Sequence, residues 1–174
     1  LYDIIPRSFV HETKEYIVIS ILEYAFTLSL VEDVKFAPDS QIQTIENNAF
    51  SNSTIKSITI PSSVTFIGEN AFNCCKQFQQ IEIPDNSKLQ TIEKNTFFDS
   101  TIENITIPSE LVELKDEWCK NTPKLTKIKV SQLNPRYCCY EDKIIIGKTN
   151  NDQNNYDCLV FCARDTQHIE IPNF

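Results

Sequence analysis

The chain repeats itself about every 23 residues, and a period of that length confines it to architectures in which one short unit stacks on the next. Five segments align in register: Val18–Phe26 (VISILEYAF), Ile42–Phe50 (IQTIENNAF), Val64–Phe72 (VTFIGENAF), Leu89–Phe97 (LQTIEKNTF) and Leu111–Cys119 (LVELKDEWC). Each carries an apolar residue, a second one three positions later, and a closing pair that is ordinarily small then aromatic. A second element recurs between them: Ile58–Pro61 (ITIP), Ile81–Pro84 (IEIP) and Ile105–Pro108 (ITIP), with Ile169–Pro172 (IEIP) at the far end. The first-type segments end at 26, 50, 72, 97 and 119, in steps of 24, 22, 25 and 22 residues. A unit this small cannot bury an apolar face alone, but stacked neighbours can, which predicts a solenoid with one continuous core.

The second element reads as a strand. In Ile55–Pro61 (IKSITIP), polar Ser57 and Thr59 flank Ile58, an alternation that buries one face. β-Branched residues suit that half-buried surface, and Pro61, with no N–H to give a ladder, ends the strand. Equivalent stretches are Val31–Ala37, Phe78–Pro84, Ile102–Pro108 and Leu125–Ser131. Stacking sets these strands in a parallel sheet, and parallel strands need a long return connection. The first element supplies it. Ile21, Ile45, Ile67, Ile92 and Leu114, with Phe26, Phe50, Phe72 and Phe97, are expected to point inward. The residues between, such as Glu69–Ala71, are expected to form one helical or 3₁₀ turn. Three residues after each aromatic stands a small polar column of Ser29, Ser53, Cys75, Ser100 and Thr122, expected to satisfy backbone groups of the buried turn.

Composition narrows the function. The net charge is −8, without clustered Lys or Arg, which argues against a nucleic-acid partner and against docking on anionic lipid. No apolar run is long enough to span a bilayer. The chain has no Met and stops directly after a strand signal, so it reads as a piece of a longer protein or a processed form. Only two Gly occur, leaving the turns to Pro, Asn, Ser and Asp and leaving no Gly-rich phosphate loop.

An Ala-Phe pair, a small Ser or Cys three residues on, then I-x-I-P, then V-x-x-I, resembles the BspA-like, or Treponema pallidum-type, leucine-rich repeat. Val64–Pro84 (VTFIGENAFNCCKQFQQIEIP) carries the pattern most fully. The resemblance covers roughly residues 16–133 and returns at 165–172. It implies a leucine-rich-repeat solenoid of about five turns, with parallel β-strands on a concave face and short strand or helical turns on the return path. It also implies a surface or secreted protein of host-associated bacteria or protists, engaged in adhesion and protein binding. The chain departs from the pattern at Trp118-Cys119, which replaces Ala-Phe, and at Ser131, which replaces the strand-ending Pro. Residues 1–15 do not align; Ile4-Ile5-Pro6 reads either as the tail of a preceding strand or as an irregular cap.

Residues 134–164 break the period. Two apolar runs, Lys143–Ile146 and Cys158–Phe161, flank a polar stretch, which predicts a hairpin with a long exposed tip inserted before the array resumes at 165–174. Similar islands occur in BspA-like proteins. Cys138, Cys139, Cys158, Cys162 and His168 could supply zinc ligands, but adjacent Cys138 and Cys139 face opposite ways on a strand and no C-x-x-C knuckle is present. Small core residues are the simpler reading, with a bridge from Cys138 or Cys139 to Cys158 or Cys162 as the alternative. His168 follows Cys162 without an orienting third group, and the acidic residues are scattered as on a solvated face. The sequence therefore calls for no catalytic residue, no cofactor and no metal. Two N-x-S/T sequons begin at Asn52 and Asn104.

The strand residues flanking each central apolar position define the expected binding face: Asp33 and Lys35, Ser57 and Thr59, Gln80 and Glu82, Asn104 and Thr106, Lys127 and Lys129, with His168 and Glu170 continuing it. The face is polar and mixed in sign, which fits a protein ligand over a broad footprint. The expected function is a non-enzymatic protein-binding module of a cell-surface or secreted adhesion protein, with a host-cell or matrix protein as ligand. The alternative is an intracellular scaffold built on the same repeat, which free thiols throughout would favour. The edge of the last strand offers end-to-end self-association.

Overall fold

The computed structural model describes residues 3–150 and 154–168. The chain opens with strand β1 (Asp3–Ile5) and a hairpin of β2 (Ser8–His11) and β3 (Lys14–Ile17). Five coils follow, each with a two-residue strand and a longer one. These are β4 (Ser20–Ile21) and β5 (Asp33–Phe36), β6 (Thr44–Ile45) and β7 (Ser57–Thr59), and β8 (Phe66–Ile67) and β9 (Gln80–Glu82). The last two coils hold β10 (Thr91–Ile92) and β11 (Asn104–Ile107), then β12 (Glu113–Leu114) and β13 (Lys127–Val130). Strands β14 (Tyr137–Tyr140), β15 (Ile144–Gly147) and β16 (Cys158–Cys162) complete the described structure.

The longer strands form a six-stranded parallel sheet in the order β1-β5-β7-β9-β11-β13, and the two-residue strands form a second parallel sheet, β4-β6-β8-β10-β12. Register pairs like with like: Val34 with Ile58, Ile58 with Ile81, and Ile105 with Ile128. These side chains are buried, together with Ile21, Ile45, Ile67 and Ile92 from the opposite sheet. β1 pairs in parallel with β5, so Ile4-Ile5-Pro6 is the strand of a coil rather than an irregular cap.

A third ladder joins the two sheets, and here the structure departs from the expected helical turn: no helix occurs among the described residues. Two residues four positions apart take positive φ in every coil: Tyr24 and Leu28, Asn48 and Asn52, Asn70 and Cys74, Asn95 and Asp99, Glu117 and Asn121. Left-handed residues at that spacing turn alternate peptides outward and prevent helix propagation. In the second coil the N–H groups of Ala49, Ser51 and Ser53 donate back to the carbonyls of Glu46, Asn48 and Phe50. Those of Asn48, Phe50 and Asn52 donate across to Glu69, Ala71 and Asn73 of the next coil. Asn, which tolerates the left-handed region, stands in for glycine at half of these sites.

The aromatics stack along the axis. Ring centroids of Phe26 and Phe50 are 4.8 Å apart, of Phe50 and Phe72 5.1 Å, and of Phe72 and Phe97 5.6 Å, all nearly parallel. Trp118, standing at the usual Ala position, meets Phe97 edge-on at 6.2 Å and then meets Phe161 at 5.9 Å. The break at Trp118-Cys119 thus moves the aromatic by one residue and ends the parallel stack. The small polar column is only partly the ladder expected. The Ser53 hydroxyl lies 3.6 Å from the Cys75 thiol, which donates to the Phe50 carbonyl, and Thr122 donates to the Cys119 carbonyl. The hydroxyls of Ser29 and Ser100 have no partner among the described residues.

The expected two-stranded island has three strands: β14, β15 and β16 form an antiparallel sheet with β15 in the centre. It closes the end of the fifth coil. The Tyr137 hydroxyl accepts from the Leu114 N–H at 3.1 Å and donates to the Val112 carbonyl at 3.2 Å, filling the edge of the second sheet. Asn134 donates to the carbonyls of Pro108 and Leu111, and the Arg164 guanidinium donates to that of Cys119. The expected resumption of the array at Ile169–Pro172, and the strand edge offered there for self-association, lie outside the described residues.

Phe72 sits at the middle of the stack, fully buried between two rings and against Phe78. Phe72→Ala is expected to remove about 3–5 kcal/mol of stability, read as a lowered urea midpoint in equilibrium unfolding.

Candidate functional site

Ladder pairing brings the predicted face residues together. Asp33 pairs with Ser57, Ser57 with Gln80, Gln80 with Asn104, and Asn104 with Lys127, so one unbroken row crosses five strands. In the adjacent row Thr59 pairs with Glu82, and Thr106 with Lys129. Lys35 lies two residues beyond Asp33 on the exposed side of β5. The inward neighbours Val34, Ile58, Ile81, Ile105 and Ile128 anchor every strand, so the polar side chains between them are fixed in spacing by the sheet itself. Side-chain bonds link neighbouring coils: the Ser57 hydroxyl donates to Asp33 at 2.8 Å, and the Thr59 hydroxyl donates to Glu82 at 2.9 Å.

Six of these ten residues, Ser57, Thr59, Gln80, Glu82, Asn104 and Thr106, line one shallow groove of about 340 Å³. Charge is uneven along the face. Asp33 and Lys35 lie at the first-coil end, Glu82 near the middle, and Lys127 and Lys129 at the fifth-coil end. His168 is exposed, and Glu170 lies outside the described residues.

A second groove, of about 450 Å³, runs along the ends of the strands beside this face. Its apolar walls are Phe36, Pro38, Pro61 and Pro84, with Lys35 and Thr59 as polar members. The sequence reading treated the prolines only as strand breakers. The signal available was Phe36, an aromatic at the place where later coils carry Ile60 and Ile83.

The cysteines do not assemble a reactive centre. Central strand β15 separates Cys138 and Cys139 on β14 from Cys158 and Cys162 on β16. Two strand spacings amount to roughly 10 Å, beyond the Cα separation of a disulfide. All seven cysteines are unpaired. Burial pushes the Cys75 thiol up to about 11 and that of Cys119 to about 12, so neither supplies a thiolate at neutral pH. Asn52 and Asn104, the sequon residues, are exposed, and Asn104 stands in the centre of the sheet face.

The repeat pattern itself decides the family: residues 19–144 match the model of the BspA type leucine rich repeat region in six copies. The chain belongs to the BspA-type leucine-rich-repeat family. No curated protein matches it over its sequence. Among solved structures, the pneumococcal vaccine antigen PcpA superposes with a TM-score of 0.74 at 20% identity, over 83% of this chain and 44% of that one. A leucine-rich repeat protein from Bacteroides ovatus gives a TM-score of 0.62 at 28% identity, over 75% of this chain and 33% of that one. A leucine rich cell surface protein from Faecalibacterium prausnitzii gives 0.53 at 16% identity, over 85% and 51%. The chain thus spans about half or less of each of these relatives. A repeat array of this type is consistent with a protein-binding module. Among the described residues no helix is long and apolar enough to cross a membrane.

The shifted thiols make a chemical prediction. A thiol reagent added to the folded protein at neutral pH is expected to leave Cys75 and Cys119 unmodified and to label both after denaturation, as read by peptide mass spectrometry. An unfolded thiol ionises near 9.0, while folded Cys75 holds its proton to about 11. Stability from this site is therefore complete below the unfolded value and falls as pH rises through that window.

Proposed function

We propose that the outward face of the six-stranded sheet binds a protein ligand without catalysis, as part of a cell-surface or secreted adhesion protein whose ligand is a host-cell or matrix protein. The observation that carries this reading is the unbroken row from Asp33 through Ser57, Gln80 and Asn104 to Lys127, with the shallow groove at its centre. A rigid parallel sheet presents these groups at fixed spacing, so a ligand is recognised with little loss of side-chain entropy. The mixed charge favours a partner with complementary polarity along the solenoid axis, and the Phe36–Pro38–Pro61–Pro84 groove offers an apolar anchor beside the polar face. The descriptions of similar structures as a vaccine antigen and a cell surface protein support the location. No cofactor, nucleic acid or membrane insertion enters this reading.

One observation favours a second reading. All seven cysteines are unpaired, as suits a reducing compartment and an intracellular scaffold that uses the same face.

Antibody labelling of intact source cells separates the two. Staining without permeabilisation is expected, and staining only afterwards would leave the scaffold reading standing. For the face itself, replacing Gln80, Glu82, Asn104 and Thr106 together by Ala is expected to abolish ligand capture while leaving the thermal melt cooperative. Undiminished capture would place the contact elsewhere.

A further inference from the structure

Positive charge on the sheet face is concentrated and unmatched at one strand. Several lysines elsewhere meet carboxylates: Lys56 pairs with Glu32, Lys76 with Asp99, Lys115 with Glu113, Lys120 with Glu117 and Lys143 with Asp165. The two acids of the face are engaged as well, Asp33 by the Ser57 hydroxyl and Glu82 by that of Thr59. Lys127 and Lys129 differ. Both are exposed on β13, and neither ammonium group has an ion-pair or hydrogen-bond partner among the described residues. Their ladder partners Asn104 and Thr106 are neutral. The acidic turn at Glu141 and Asp142 reaches this strand through its main chain, with the Asp142 carbonyl accepting from the Ile128 N–H.

Position gives this pair a direction. Alternate residues of a strand face the same side about 7 Å apart, so the two ammonium groups flank one track along the solenoid axis. Followed from Lys129, that track crosses Thr106 and Glu82 and arrives at Thr59, which lines the apolar Phe36–Pro38–Pro61–Pro84 groove. From β7, at the middle of that groove, to β13 is three strand spacings, or about 14 Å. An extended polypeptide covers that span in about four residues.

We infer that, given the sheet as a protein-binding face, the ligand engages it through a short acidic stretch seated on Lys127 and Lys129, with an apolar side chain about four residues away in the Phe36–Pro38–Pro61–Pro84 groove. Adjacent acidic residues project to opposite sides of an extended chain, one toward each lysine. Glu82, part-way along the track, repels a carboxylate placed there and so fixes which end of the ligand is acidic. The same carboxylate, with a net charge of −8 over the chain, disfavours a long polyanion such as nucleic acid and leaves a short acidic stretch of polypeptide. Uncharged Gln80, Asn104 and Thr106 line the shallow groove between the two anchors and offer amide and hydroxyl groups to the ligand main chain.

The test is selection from a random dodecapeptide display library on the folded chain, followed by titration with the enriched sequences as synthetic peptides. Enriched sequences are expected to carry adjacent Asp or Glu residues with an apolar residue about four positions away. Their affinity is expected to fall as salt is added. It is expected to weaken by about tenfold or more in Lys127→Glu/Lys129→Glu, where two attractions become two repulsions. Lys127→Arg/Lys129→Arg is expected to bind as the parent does. Lys127→Gln/Lys129→Gln gives the loss in weaker form should the reversed variant fail to melt cooperatively. Enrichment of neutral or basic peptides, no enrichment, or acidic peptides that bind the reversed variant as tightly as the parent would each overturn the inference. Acidic peptides indifferent to the lysines, yet lost from the variant with Gln80, Glu82, Asn104 and Thr106 replaced by Ala, would leave the protein-binding face standing. Peptides indifferent to both sets would remove that reading too.

Discussion

A coil of about 23 residues has too little volume to surround its own side chains, and every other feature of this protein follows from the need to borrow that cover from neighbours. Three parallel ladders meet the requirement together. The long strands pair on one side, the two-residue strands on the other, and the turn amides hydrogen-bond from coil to coil between them. With the backbone satisfied in three places per coil, the interior is left to isoleucine and phenylalanine, which stack on their own equivalents. Identity between coils is therefore a packing condition, and the spread of steps between 22 and 25 residues is absorbed in the loops.

The ends of such an array are its physical difficulty, since the last coil has no further neighbour to pair with. Where the period breaks after the fifth coil, the chain substitutes side-chain groups for a coil's backbone. The Tyr137 hydroxyl and the Asn134 amide take up Val112, Leu114, Pro108 and Leu111, and Phe161 covers Trp118. The irregular island is thus a structural closure, and the odd aromatic at Trp118 belongs to it. The first coil has no counterpart to this closure on its flank. It carries exposed apolar residues and two left-handed backbone positions, Tyr24 and Leu28, instead.

Legibility in the sequence followed periodicity. Residues repeated in register, such as Ile58, Ile81 and Ile105 or Phe50, Phe72 and Phe97, announced their burial because each is checked against several copies of itself. The composition of the sheet face was readable for the same reason, since Ser57, Gln80 and Asn104 alternate with those isoleucines. The turn was misread as helical because its defining property is the sign of φ. Asn48 and Asn52, or Tyr24 and Leu28, look like ordinary helix surface until the backbone is seen. The hairpin of β2 and β3 and the strand β14 were missed because each occurs without a repeat to reveal it, and short runs such as Tyr137–Tyr140 do not alternate.

By itself the sequence determined the solenoid, its period, its core and the residue types on its exposed sheet, because stacking turns a one-dimensional repeat directly into contacts between equivalent residues. Only the tertiary structure decided which groups outside the repeat meet. It placed β15 between two pairs of cysteines, set Tyr137 against the edge of the fifth coil, and gathered Phe36 with Pro38, Pro61 and Pro84 into a groove. These contacts join residues with no common position in the repeat. Their separation is set by backbone turns and strand order, which no local pattern of side chains encodes.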